Sequence, residues 1–358
     1  MKRSAGVLLQ KFRLPILLGI SLGMLVSMSM GQSSEFKKDM VSALQGNVEA
    51  QLRIANAYQR GLGIHLDAYQ AAHWYAKAAG SGSTEGAVHY GMMLYTGDGT
   101  AQDLPKAFQW FQRAALDKSP EAMNNIALMY FRGEGVRRDP EEGVRWMKRA
   151  ADMGFIPAKA QLGVAYWDGV GTEQDRELAL KLFREAARKH HPAALFGLAC
   201  AYDSGVGVPQ DYAQAAKYYR EAADQGYKEA LNNLGLLYEH GRGVKADGKQ
   251  AMKLYVQAAN LGNVQAAANA ARGYASGLGG ARDNVSASMW LIVAAKEDEQ
   301  YIVATEHTRA LVGEHDWAEA ESQAAMKYEE IRKLGIQQPI LGKAKANGEL
   351  VAQKAVRW

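Results

Sequence analysis

The sequence repeats with a period of 36 residues, and this period constrains the fold more than any other feature. A Gly-x-Gly pair recurs at that spacing seven times, and an Asp follows six residues after the first glycine of every pair. The first glycines are Gly61, Gly97, Gly133, Gly169, Gly205, Gly241 and Gly277. The aspartates are Asp67, Asp103, Asp139, Asp175, Asp211, Asp247 and Asp283. Seven equal steps predict an array of stacked repeats, each of which is one supersecondary unit.

Each repeat is predicted to contain two helices, which we call helix A and helix B. The segment before a glycine pair, such as EALNNLGLLYEH, has apolar residues at three- and four-residue spacing, as one face of a helix requires. The first glycine suits the left-handed end of helix A, and the Asp suits the N-cap of helix B. Helix B then carries a bulky residue one turn before an Ala pair, and we expect this column to fill the core. Its members are Trp74, Trp110, Trp146, Leu182, Tyr218, Leu254 and Trp290.

The glycine pairs have a second possible interpretation, as phosphate-binding loops. Such a loop lies between a strand and a helix and occurs once in a domain, whereas these seven lie between predicted helices. We therefore interpret the glycines as turn residues. The aspartates are interpreted as helix caps rather than catalytic acids or metal ligands.

The first 31 residues differ from the repeats. Four Lys or Arg residues precede an apolar run from Leu14 to Val26, and the small-residue stretch SMSMG follows it. This pattern is typical of a secretory signal peptide, and an uncleaved N-terminal anchor is the alternative. The run is short for a bilayer span, which takes about 20 residues. We expect an exported protein, periplasmic or secreted, with no transmembrane segment in the mature chain.

Charge and residue usage argue against several classes of function. After residue 31 the chain has 38 basic and 38 acidic residues, so the basic surface of a nucleic-acid-binding protein is not expected. Cys200 is the only cysteine, which excludes an intramolecular disulfide, and its mostly apolar column predicts a core position. The eight histidines show no metal-ligand spacing, and no Ser-His-Asp arrangement can be recognised. We expect no cofactor, no metal and no enzymatic activity.

The segment ALNNLGLLYEHGRGVKAD, residues 230 to 247, resembles the Sel-one-like repeat (SLR) family, which is related to the tetratricopeptide repeat. It matches the family pattern Ala-x-x-x-Leu-Gly-x-x-Tyr-x-x-Gly-x-Gly-Val-x-x-Asp, and the resemblance extends over residues 48 to 297. One departure is Leu94, where six other repeats have Tyr. The resemblance implies an all-α, right-handed α/α solenoid of seven helix-turn-helix repeats. It also implies a non-enzymatic adaptor in envelope assembly, regulation or host contact.

The ends of the array are predicted to be capped, because a repeat buries its faces only against neighbours. Residues 32 to 47 are interpreted as a capping helix, equivalent to helix B of an incomplete leading repeat. Residues 298 to 334 are interpreted as capping helices, with helical stretches at 299 to 312 and 317 to 333. The tail from 335 to 358 has no clear periodicity.

A mostly polar column lies on helix A, eight residues before each first glycine. Its members are Arg53, His89, Asn125, Gln161, Gly197, Asn233 and Asn269. Amide side chains offer donors and acceptors that suit the main chain of an extended peptide. The column therefore predicts a contact surface for a protein or peptide partner, on the concave surface that helix A usually lines in such arrays. The alternative is a solvated helix face without a ligand.

Three aromatic residues, Tyr95, Phe131 and Trp167, stand two positions before the glycine in consecutive repeats, and Arg132 is beside them. Aromatic and Arg side chains often anchor protein interfaces. If these rings are exposed, they could also stack on sugars, which gives a second hypothesis of a cell-wall glycan-binding protein. The alternative for this aromatic run is simple packing on the next repeat.

Overall fold

The computed structural model describes residues 33 to 337. The predicted signal peptide lies outside the described residues, as does the tail from residue 338 onward. Within residues 33 to 337 all regular structure is helical, as the 36-residue period predicts.

Helix pairs follow one another along the chain, with one additional helix before them and two after them. Helix α1 is Ser34–Leu44. The helices A are α2 Val48–Arg60, α4 Thr84–Thr96, α6 Pro120–Arg132, α8 Ile156–Asp168, α10 Pro192–Ser204, α12 Lys228–His240 and α14 Val264–Ser276. The helices B are α3 Ala68–Gly80, α5 Leu104–Leu116, α7 Pro140–Asp152, α9 Arg176–Ala187, α11 Tyr212–Ala223, α13 Gly248–Asn260 and α15 Asn284–Glu297. A 3-10 turn at Glu299–Tyr301, α16 Ile302–Leu311 and α17 Glu314–Gln337 complete the described chain.

The predicted caps are present in every repeat. Gly61 ends α2 in the left-handed conformation with φ of 69°, and the side chain of Asp67 accepts a hydrogen bond from the Gln70 amide at the start of α3. The second glycine of the pair is required for a different reason, which is close packing against the preceding repeat. A Cβ on Gly99 would lie 2.0 Å from the carbonyl oxygen of Ala68, so this loop packs directly on the first residue of the preceding helix B. Only glycine fits such a close backbone approach.

Leu94 keeps the backbone geometry of the Tyr that it replaces. Its carbonyl accepts from the Asp103 amide at 2.8 Å, as the Tyr58 carbonyl accepts from the Asp67 amide at 2.9 Å, and its side chain is buried. The substitution is therefore accommodated locally.

The chain divides into two compact units, one up to Arg138 and one from Asp139 onward, and each has its own core. In the first unit, Phe36 and Met40 on α1 are buried in the same core cluster as Trp74 and Tyr75. In the second unit, α17 packs on α15, and Ala320 belongs to the core cluster. Helix α17 begins three residues before the predicted position of 317.

The bulky column of helix B is only partly the core that the sequence predicted. Trp74, Leu254 and Trp290 are buried, but the other four members are half-buried. The residue that follows each of the first six members is buried in every case: Tyr75, Phe111, Met147, Phe183, Tyr219 and Tyr255. These side chains point at the small positions of helix A. A Cβ on Gly163 or Gly197 would lie within 2.8 Å of the Phe183 ring.

Candidate functional site

The helix-A polar column in the first unit has exposed and half-buried members. The Arg53 guanidinium donates to both carboxylate oxygens of Asp39 at 2.7 and 2.9 Å and holds the pKa of that carboxyl below its usual range. The His89 ring stacks on Tyr75 at a centroid distance of 4.7 Å. Asn125 is half-buried, and its Nδ2 has no hydrogen-bond partner. Arg53 and His89 are thus held by neighbours, and Asn125 keeps a free donor.

In the second unit the same column does not present a continuous amide surface, and this corrects the prediction for two residues. Asn233 and Asn269 are buried. Asn269 donates to the side-chain oxygen of Asn232, Asn232 donates to that of Asn233, and Asn233 donates to the Tyr219 hydroxyl, over 2.9 to 3.1 Å. Their amides hold neighbouring repeats together because helices A of adjacent repeats pack side by side.

The hydrogen-bond network ends at residues on α10. The Tyr219 hydroxyl donates to Oδ2 of Asp203 at 3.1 Å and lies 3.4 Å from Sγ of Cys200. Cys200 is half-buried against the core, and burial raises the pKa of its thiol to about 12. Such a thiol stays protonated and is a poor nucleophile.

The aromatic run is engaged within each unit rather than free. The Tyr95 hydroxyl donates to Glu134 and accepts from Nη1 of Arg132 at 2.9 Å, and the Arg132 side chain is only 10% exposed. Phe131 is 2% exposed, so the prediction that it is an accessible anchor is wrong. Phe131 is thus a packing residue, which was the alternative interpretation of the aromatic run.

Trp167 also packs within its own repeat. Its ring lies 6.2 Å from the Phe183 ring, centroid to centroid, and the Arg176 guanidinium is 5.9 Å from its centroid. Trp167 is half-buried, so only part of its surface is accessible to a ligand.

A correlation between helix A and helix B explains which residue types stand two positions before the glycine. Where helix B has a buried Tyr, this position has a hydrogen-bond acceptor: Tyr75 donates to Gln59, Tyr219 to Asp203 and Tyr255 to Glu239. Where helix B has Phe or Met, which carry no hydroxyl, the residue at this position is aromatic: Tyr95, Phe131 or Trp167. The aromatic run therefore follows from core packing. Comparing the two columns repeat by repeat would have revealed it in the sequence.

Two polar side chains without a hydrogen-bond partner, Gln161 and Asp168, lie on one face of α8. Gln161, Val164 and Asp168 have the i, i+3, i+7 spacing of a single helix face, and all three are half-buried. Oε1 of Gln161 is buried without a partner, and no hydrogen bond or ion pair reaches Asp168 within residues 33 to 337. Burial raises the pKa of Asp168 to about 7, although the Arg176 charge lowers it in part.

Next to this face, α10 is lined by small residues. Gly197 and Cys200 occupy the same repeat positions as Gln161 and Val164. The Phe183 ring fits between Gly163 of α8 and Gly197 of α10. We call Gln161, Val164, Asp168, Gly197 and Cys200 the α8–α10 face. It has an apolar floor with two unpaired acceptors. Gln161 and Gly197 belong to the helix-A column predicted from the sequence, whereas Val164 and Cys200 were not predicted as contact residues.

The described part of the chain offers little for metal chemistry. From residue 33 to 337, no group of three or more His, Cys, Asp or Glu side chains is arranged to hold a metal ion. Over the same residues, no helix combines the length and apolar character that a bilayer span requires.

Comparison with protein families identifies the repeat. The Sel1 repeat matches seven consecutive segments: residues 48–83, 84–119, 120–155, 156–191, 192–227, 228–263 and 264–299. The chain is a Sel1 repeat protein. The SLR resemblance and the solenoid class of fold are thereby confirmed.

Three solved structures are similar to this chain, and one of them has a TM-score above 0.5. A Sel1 repeat protein from Oxalobacter formigenes is 28% identical, with 81% of this chain and 85% of that chain covered and a TM-score of 0.60. A protective antigen of uropathogenic Escherichia coli with an SLR fold is 22% identical, with coverage of 84% and 81% and a TM-score of 0.49. An immunity protein from Pseudomonas aeruginosa is 22% identical, with coverage of 59% and 81% and a TM-score of 0.43. No curated protein matches the chain.

Proposed function

We propose that this Sel1 repeat protein is a non-enzymatic adaptor that binds another protein in the cell envelope. The observation that carries the proposal is the α8–α10 face. An unpaired amide oxygen and an unpaired carboxylate flank an apolar floor there, while most neighbouring polar groups have partners. Unpaired acceptors that are already partly desolvated gain most from a donor supplied by a ligand.

The chemistry of this face favours a partner segment that carries a Lys or Arg beside an apolar residue. Asp168 can accept from a cationic side chain, and Gln161 Oε1 can accept from a peptide N–H. Val164 and Cys200 supply apolar contact, and Gly197 leaves room for a backbone to approach. A charged acceptor pairs most strongly when the pair is shielded from water.

The proposed location is outside the cytoplasm, most simply the periplasm. This rests on the basic residues and the apolar run within the first 31 residues. A secreted protein is the alternative location. Cell-wall glycan remains the alternative ligand, but the aromatic residues that would stack on sugars are mostly engaged in packing.

Affinity capture from an envelope extract tests this proposal. We expect one protein to be retained by the parent and lost by the double variant Gln161→Ala, Asp168→Asn. The variant Glu173→Gln is a matched control, because it also removes one carboxylate in the same repeat but from an exposed loop. Circular dichroism would confirm that all three proteins are folded. Equal capture by parent and double variant would exclude the α8–α10 face, and retention of muropeptides alone would favour the glycan hypothesis.

A further inference from the structure

A cavity of about 360 Å³ lies between α7, α8 and α9 of the second compact unit. Its α8 residues are Lys159, Leu162 and Tyr166, and each stands two positions before a member of the α8–α10 face. Two positions turn a helix by roughly 200°, so the cavity and that face lie on opposite sides of α8. The volume is in the range of small-ligand pockets. We call this space the Leu182 cavity, after the lining residue that opens it.

Leu182 is a small member of the bulky column of helix B. Four of the seven repeats have Trp at this position. In the fifth repeat the position is Tyr218, which stacks on Tyr202 at a centroid distance of 5.9 Å. Tyr166 is the counterpart of Tyr202, so in the fourth repeat a leucine stands where the fifth has the ring partner. An aromatic or branched group of a ligand would fill the space that a ring takes in other repeats.

Two further lining residues reverse the polarity of their repeat positions. Leu178 is half-buried on α9, where every other repeat has Gln, Glu, Lys or Ser. Lys159 stands on α8 where the two flanking repeats have the buried Met123 and Leu195. The repeat fold requires neither exchange. Because both residues line the cavity together with Leu182, the fourth repeat departs from the others at one place in space.

The charged groups of the cavity leave two cations unpaired. Nζ of Lys159 donates to Oε2 of Glu185 at 2.7 Å, and this bond holds the pKa of the Glu185 carboxyl below its usual range. At the exposed rim, Lys148 and Lys181 form no hydrogen bond or salt bridge with any residue from 33 to 337. Asp152 is the remaining charged residue of the lining. The cavity thus has an excess of one positive charge, which suits a ligand with one carboxylate.

The sixth repeat shows how the fold closes a similar space without a ligand. Lys148 and Tyr166 are the counterparts of Arg220 and Tyr238, and residue 254 is a leucine as residue 182 is. Nη2 of Arg220 donates to the Tyr238 hydroxyl at 3.1 Å. In the described part of the chain no such bond joins Lys148 to Tyr166. The ammonium group and the hydroxyl are both free to contact a ligand.

We propose that the Leu182 cavity binds a small acid, whose carboxylate is held by Lys148 and Lys181 and whose aromatic or branched group fills the cavity. A carboxylate accepts strong charge-assisted hydrogen bonds from ammonium groups, and the Tyr166 hydroxyl can donate another. Burial of the apolar group against Leu162 adds hydrophobic contact. This ligand site goes beyond the adaptor function and does not depend on it. The same chemistry occurs in a free acid and at the carboxyl end of a polypeptide.

Isothermal titration calorimetry of the purified protein tests this inference with two probes, phenylacetate and the peptide acetyl-Ala-Ala-Phe with a free carboxylate. We expect saturable binding that is about tenfold weaker in the variant Lys148→Gln, Lys181→Gln, because charge-assisted contacts are lost. Leu182→Trp should abolish binding by filling the cavity. Trp is the residue that four other repeats carry, so folding should be preserved, and circular dichroism checks it.

A matched control is the variant Lys217→Gln, Lys253→Gln. It removes two exposed lysines at the position of Lys181 in the next two repeats, and it should bind as the parent does. Phenylacetamide, which lacks the charge, should bind more weakly than phenylacetate. Tighter binding of phenylacetate than of the peptide would assign the cavity to a free acid, and the reverse would assign it to the end of a polypeptide.

Three results would overturn the proposal. The first is no binding of either probe to the parent. The second is equal binding by the parent and Leu182→Trp, because the ligand would then lie outside the cavity. The third is an equal loss in the control variant, because binding would then follow the overall charge of helix B rather than Lys148 and Lys181.

Discussion

The hydroxyl of Tyr255 donates a hydrogen bond to Oε2 of Glu239 over 2.6 Å, which joins helix B and helix A of the sixth repeat. Both oxygens of the same carboxylate accept from the Arg272 guanidinium of the seventh repeat, at 2.6 and 2.8 Å. The hydrogen bond from Arg272 holds the pKa of Glu239 below its usual range. One side chain thus connects two repeats as well as the two helices of one.

The substitution Glu239→Gln should destabilise the fold at neutral pH by about 1 kcal/mol, because a charge-assisted pair becomes a neutral hydrogen bond. A lowered carboxyl pKa contributes stability above the unfolded value of 4.5, and this contribution is lost as pH falls through the folded value. Urea unfolding at pH 7 and pH 3 measures both effects. A difference in free energy of unfolding between parent and variant that does not shrink between pH 7 and pH 3 would contradict this interpretation.

Asn269→Ala should destabilise the fold by about 1 to 3 kcal/mol, because it leaves the buried oxygen of Asn232 without its donor. Gln161→Ala occupies the same column but removes an oxygen that has no partner, so its loss should be small. Thermal unfolding of the two variants compares them directly. Loss of partner binding by a fully stable Asn269→Ala protein would instead restore the peptide-contact role that the sequence suggested.

Asp168→Asn should stabilise the free protein at pH 8 by about 1 kcal/mol, after allowance for the half-exposed carboxyl. The folded state binds a proton up to a pKa of about 7, whereas the unfolded state loses it near 3.8. Stability therefore falls as pH rises through this window, and Asn removes the penalty. At pH 4 the two proteins should have equal midpoints in urea. A destabilised variant at pH 8 would mean that the ionised carboxylate has a favourable partner.

Lys118→Gly should stabilise the protein by about 1 kcal/mol, because a non-glycine residue in the left-handed region is strained. Lys118 has φ of 62° at a position where other repeats have glycine, and Gly82 adopts φ of 95° there. Gly82→Ala is the reciprocal variant and should destabilise the protein, although no neighbouring atom lies within 4 Å of the added Cβ. Differential scanning calorimetry would measure the Tm of both variants. A lower Tm for Lys118→Gly than for the parent would show that the backbone at Lys118 is not strained.

The period of the glycines was sufficient to predict the helices, caps and repeat number, because backbone conformation at Gly61 or Asp67 depends on local sequence. Side-chain exposure was harder to predict. Asn233 and Asn269 stand in the same column as Arg53, yet their burial depends on Asn232 and Tyr219 in adjacent helices. Phe131 resembles an interface anchor in isolation, and only the contrast between Tyr255 with Glu239 and Phe183 with Trp167 reveals the packing role.

The α8–α10 face is the proposed binding site for a protein partner. The most direct measurement is cross-linking in cells with a photoreactive residue in place of Val164, compared with the same residue in place of Lys181, which lies on helix B of the same repeat. We expect one discrete cross-linked protein from position 164 that is absent from position 181 and that disappears in the variant Asp168→Lys. No product at position 164, or the same product from both positions, would exclude the α8–α10 face as the binding site.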